Sequence, residues 1–128
     1  MVRIVRLGTP RLRAEGLRLG TVRRPPRGVP KSEYGRRDFY DVWVPDLAPS
    51  PALFSWIKSQ PITDARWRTY ARRYRAEMKR PEARRLIALL AALSRHANFS
   101  VGCYCENAAR CHRSLLRELL TEAGAQVC

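Results

Sequence analysis

Three cysteines stand close to a histidine, an acid and two arginines in Cys103-Tyr104-Cys105-Glu106 and Arg110-Cys111-His112-Arg113. The thiolate is the nucleophilic form of cysteine, and an electropositive setting favours it. Cys111 has that setting if it opens a helix, as the spacing of Leu115, Leu116, Leu119 and Leu120 predicts. Free N–H groups and the helix dipole favour negative charge there, and Arg110, His112 and Arg113 add positive potential. Cys111 is therefore the first candidate nucleophile and Cys105 the second. Glu106 is the nearest acid, able to move protons, and His112 can do the same or cap the helix. A helix start also suits a phosphate or carboxylate. Arg113 is assigned to anion binding, with Arg23 and Arg27 from Arg23-Arg24-Pro25-Pro26-Arg27-Gly28. Cys103 reads as core, Cys128 as an inert terminal thiol, and His96 as a solvent-facing residue at a helix end.

Zinc is the rival chemistry, since Cys103, Cys105, Cys111 and His112 make up four ligands. Structural zinc sites usually set two to four residues between paired cysteines, and neighbours such as Cys111 and His112 diverge on a helix. The sequence reading therefore assigns no metal. A phosphatase-type loop needs five residues between cysteine and arginine, which neither Cys103 nor Cys105 has to Arg110. A Cys103–Cys105 or Cys105–Cys111 redox pair is possible, without a Cys-x-x-Cys motif.

The elements that must position these groups read as follows. Met1–Leu7, Leu17–Val22 and Phe39–Val44 are predicted strands, the last stopped by Pro45. Residues 23–38 form an Arg/Pro-rich loop. Ser50 can cap a short helix that presents Leu53, Phe54 and Ile57. A longer helix starts near Thr63 or Asp64, with Trp67, Tyr70, Ala71, Tyr74 and Met78 as a core stripe. Pro81 opens the next, whose apolar face is Leu86, Leu89, Leu90 and Leu93. Residues 99–123 are a strand, turn and helix, with Phe99–Tyr104 the strand and Gly124 the stop. Val127 can start a short final strand. The order predicts a single small three-layer α/β domain over residues 1–128, with a mostly parallel sheet flanked by helices. Ligands of such sheets bind beyond the carboxyl ends of the strands. If Leu17–Val22 and Phe99–Tyr104 run parallel, the arginine loop and the cysteine turn meet on one edge.

The net charge of +14 rests almost wholly on arginine, with lysine only at Lys31, Lys58 and Lys79. This favours an anionic partner such as phosphate, a nucleotide or nucleic acid, although a high-GC genome produces the same composition. Val2–Leu7 is interrupted by Arg3 and Arg6, so no signal peptide is visible and no run could span a bilayer. A cytoplasmic protein with reduced thiols is expected.

At these residues the chain resembles domain of unknown function family 488. Cys103-Tyr104-Cys105-Glu106 with Cys111-His112-Arg113-Ser114-Leu115-Leu116 matches its C-terminal signature. The Arg23–Gly28 loop, the Asp41–Ser50 segment ending Leu47-Ala48-Pro49-Ser50, and Trp67, Tyr70, Arg73, Tyr74 and Glu77 look like its YeaO-like branch. The resemblance implies an α/β fold in a bacterial or phage-like cytosolic setting, and no particular activity. Val22 stands where that branch often has an acid before the loop arginine, which argues against any mechanism needing a carboxylate there.

Two readings follow, with a third behind them. One is an enzyme using Cys111 or Cys105 on a phosphate-bearing or nucleotide substrate. Another is a basic nucleic-acid-binding module without catalysis. The third is a zinc-stabilised adaptor. Substrate, cofactor and oligomeric state are not legible.

Overall fold

A computed structural model describes residues 1–128. Four strands, β1 (Val2–Arg6), β2 (Leu17–Gly20), β3 (Val42–Trp43) and β4 (Phe99–Cys103), form one all-parallel sheet in the order β1-β4-β2-β3. β4 is central, pairing Val2 with Phe99 through Arg6 with Cys103 on one side and Leu17 with Phe99 through Gly20 with Gly102 on the other. Val127 makes one parallel bridge to Val2. The four helices are α1 (Pro51–Lys58), α2 (Asp64–Glu77), α3 (Pro81–Leu93) and α4 (His112–Glu122). None is long and apolar enough to cross a membrane.

Local chemistry accounts for the helix ends. The Ser50 and Thr63 side chains accept from the N–H groups of Leu53 and Arg66, satisfying donors that a helix start leaves unpaired. Pro51 and Pro81 sit in first turns, where a missing N–H does no harm. Gly124 follows α4 at φ 92°, a conformation that stops the helix without a Cβ clash.

Strand alternation decides what each face meets. Val2, Phe99 and Val101 point into one cluster with Tyr70, Tyr74, Met78, Ile87, Leu90, Leu116 and Leu120 from the helices. Each fully buried aliphatic side chain there contributes roughly 1.5–3 kcal/mol, so this helix–sheet core outweighs the short sheet as a source of stability. The Tyr70/Tyr74/Met78 stripe is core, as its spacing predicts.

The expected α/β fold with a parallel sheet is present; the other face packs against loop residues that include Glu15 and Tyr40. A Cβ at Gly20 would lie 2.4 Å from the Tyr40 ring, so only glycine admits that packing. Arg18 and Glu15 are buried on this side. Arg18 donates to both Glu15 oxygens (2.7 and 3.0 Å) and to the carbonyls of Thr9 and Asp38 (2.8 and 2.7 Å), while Ser100 donates to Glu15 (2.8 Å). The expected third strand shrinks to Val42–Trp43 because Asp38 turns the chain at φ 62° and Tyr40 folds in against the sheet. β2 stops at Gly20 rather than Val22, although Thr21 still donates its N–H to Gly102.

Candidate functional site

Cys103 shares its parity with Phe99 and Val101, so it points to the helix side at the carboxyl edge of the sheet. The chain leaves β4, passes through Cys105 and a 3-10 turn at Ala108–Arg110, and enters α4 at His112. Asn107 fixes that turn by accepting from the Ala109 N–H at 3.1 Å. This route returns Cys111 to Cys103, with their sulfurs 2.7 Å apart. Cys111 and His112 form the floor of a cleft of about 670 Å³, together with Cys103, Cys105 and Tyr70. Its walls come from Val22–Arg24, Phe54, Lys58 and Tyr104, and its rim carries Glu106 and Arg110. The arginine loop and the cysteine turn thus meet on one edge, as parallel strands require.

Cys111 caps α4 with extended backbone (φ −126°, ψ 146°) rather than lying within the helix. The divergence expected of helical neighbours therefore does not apply, and the Cys111 sulfur lies 3.8 Å from His112 Nδ1. The other ring nitrogen, Nε2, lies 2.6 Å from the Thr21 carbonyl. A carbonyl only accepts, so Nε2 carries the hydrogen and Nδ1 keeps a free lone pair. His112 is only 6% exposed, and burial holds its pKa below the ordinary histidine value although the Thr21 bond opposes this. It stays neutral.

At Cys111 the neighbouring thiols and burial act against the lowering that a helix start favours. The adjoining Cys103 and Cys105 thiols, together with burial, push its thiol pKa up. Cys103 is raised as well, first by the nearby Cys105 thiol and also by burial, while its contact with Cys111 opposes them. Cys105 moves the other way, its pKa held below the ordinary thiol value by the neighbouring Cys103 and Cys111 thiols. Cys105 is also the least buried of the three and the one that solvent reaches. Cys103, expected as core, is buried yet belongs to the site.

The three arginines expected to bind an anion occupy different places. Arg23 lines the cleft, but its guanidinium donates to the carbonyls of Pro49 and Pro45 (2.9 and 3.1 Å), strapping the loop to the start of α1. Arg113 is 5% exposed and donates to the Cys105 carbonyl at 2.9 Å, fixing the turn from behind. Arg27 is exposed and lies outside the cleft. Glu106 is at the rim, paired with Arg6 at 3.4 Å.

Sequence reasoning missed Arg24, Lys58, Phe54 and Tyr104. Arg24 and Lys58 both stand over the Phe54 ring, 5.5 and 5.7 Å from its centre. Phe54 and Lys58 are four residues apart on α1, a spacing that places them on one face. Arg24 belongs to the arginine motif itself. These were the available signals.

A family model described as DUF488-N3a, active DUF488-N3 subclade, matches residues 2–124. No curated protein and no solved structure matches the chain.

Proposed function

The chain belongs to the DUF488-N3a family, and from that premise we propose that it is an enzyme acting on an anionic small molecule held in the cleft. The observation that carries this reading is a half-buried thiol, Cys105, facing a cleft with buried Cys103, Cys111 and His112 behind it. A volume of about 670 Å³ suits a ligand of nucleotide size. Arg24 and Lys58 form no ion pair within the chain and line the cleft, so they are free to take a phosphate or carboxylate. Phe54 and Tyr104 offer aromatic surface to the rest of the ligand. Glu106 is the one carboxylate lining the cleft and would move protons between ligand and solvent. Cys105 is the thiol that the substrate meets, and Arg113 and Arg23 act through the backbone they hold.

The test is calorimetric titration with nucleoside monophosphates, the matching nucleosides and inorganic phosphate. Phosphorylated compounds should bind more tightly than nucleosides, and Arg24→Ala and Lys58→Ala should each weaken binding ~10-fold, the loss of one charge-assisted contact. Equal affinity for nucleoside and nucleotide, or none for either, would exclude this ligand class.

A further inference from the structure

We infer that Cys103, Cys111 and His112 form a zinc site at the floor of the cleft, with the fourth coordination position open to it. The three ligand atoms all lie within 4.8 Å of one another, and all three residues are buried. They arrive from two elements, the last residue of β4 and the start of α4, so the site is anchored in regular structure rather than in a loop alone.

The observation that distinguishes this trio from a chance group of polar core residues is the orientation of His112. Metal-binding histidines usually donate their second ring N–H to a carbonyl or carboxylate, which fixes the tautomer and aims the other nitrogen at the metal. His112 Nε2 is held by the Thr21 carbonyl at 2.6 Å, and Nδ1 is turned to the sulfurs. Nδ1 is buried, and its one hydrogen-bond contact is the Cys111 sulfur at 3.8 Å, a poor partner for an imidazole nitrogen. A metal ion would use that lone pair fully.

Two thiolates and an imidazole match the preference of zinc for sulfur and nitrogen. Zn–S bonds of ~2.3 Å set two ligand sulfurs ~3.8 Å apart in a tetrahedron. The sulfurs stand at 2.7 Å, so binding requires them to part by about 1 Å, a movement shared between side-chain rotations at both cysteines. Cys105 does not belong to the compact trio but lines the same cleft. The centre is therefore of the three-ligand type, which leaves room for water or a substrate oxygen. Zinc there would act as a Lewis acid on a group bound in the cleft. This inference does not depend on the ligand class proposed above, since metal binding and phosphate binding are separately measurable.

The full chain, reduced and titrated with Co²⁺ under anaerobic conditions, tests it. Saturation is expected at ~1 equivalent, with thiolate-to-cobalt charge-transfer absorption and tetrahedral ligand-field bands that Zn²⁺ abolishes. Cys103→Ser and Cys111→Ser should lose the charge-transfer intensity in part. His112→Ala should weaken the metal by more than the ~10–100-fold typical of losing an outer-shell partner. Cys105→Ser should leave stoichiometry and band positions unchanged. Absence of a charge-transfer band in the unmutated chain, with all its thiols titrating as reduced, overturns the site whether or not any variant folds. Loss of metal in a folded Cys105→Ser chain overturns the open fourth position.

Discussion

On the loop-covered face of the sheet, Arg18, Glu15 and Ser100 make one buried polar cluster; on the helix-covered face, at the strand ends, Cys103, Cys111 and His112 make another. Both draw on β2 or its exit and on β4. The first pairs a full positive charge with a full negative one, and the remaining Arg18 donors reach backbone carbonyls at 2.7–2.8 Å. Buried charge is costly to leave unmatched, and here each charge has its opposite. The second consists of neutral or weakly bonding groups, with a ring nitrogen near a sulfur at 3.8 Å, and it opens into a cleft through Cys105. A cluster with its bonding satisfied internally holds structure. A cluster with unused lone pairs beside a cavity is available to something from outside.

The contrast breaks most visibly at Arg18. Arg18→Met leaves the Glu15 carboxylate buried and unpaired, and should destabilise the chain by about 3–5 kcal/mol. Adding Glu15→Leu should recover much of that loss, as replacing both partners of a buried pair commonly does. Urea unfolding of the single and double variants measures both, and a mild single variant would mean that the pair is not the buried strut described.

Acid should attack the same cluster. Burial alone would raise the Glu15 pKa, but hydrogen bonds from Arg18 and Ser100 outweigh it and hold the carboxyl below its ordinary value. The folded state thus binds this proton less readily than the unfolded chain. Its stabilisation is fully present above the unfolded carboxyl value and is lost as pH falls through the lowered folded one. Unfolding free energy measured from pH ~6 to ~2 should fall with acid, and less steeply in Glu15→Gln.

The thiol cluster should respond less in stability and more in reactivity. Cys111→Ser should cost about 1–2 kcal/mol, within the usual range for a single buried replacement. In the reduced, metal-stripped chain, Cys128 and Cys105 should be alkylated well before Cys103 and Cys111, because the latter are 2% exposed. Peptide mass spectrometry against time reads the order, and early labelling of Cys111 would mean that it, rather than Cys105, is the accessible thiol.

The smallest effect belongs to the rim. Glu106→Gln removes an exposed ion pair with Arg6 and should change stability by no more than ~0–1 kcal/mol. A larger loss in thermal unfolding would make Glu106 a structural residue and weaken its assignment to the cleft.

Much of this molecule follows from local pattern. The stripe on α2, the caps at Ser50 and Thr63, the prolines opening α1 and α3 and the glycine after α4 all encode preferences within a few residues of themselves. The meeting of the Arg23 loop with the Cys103–Arg113 segment also follows, given parallel strands, because both lie at carboxyl ends. The roles inside that meeting depend on contacts across long sequence separations, which local periodicity does not record. His112 finds its carbonyl 91 residues away at Thr21. Ser100 finds Glu15 across 85 residues. The extended backbone at Cys111, set by the turn before α4, brings its sulfur beside the next residue's ring. Residue type and spacing determined which groups were present and on which edge. Sheet order, register and a single non-helical dihedral pair decided which cysteine of the cleft solvent reaches, which arginines hold the backbone, and which lone pair remains free.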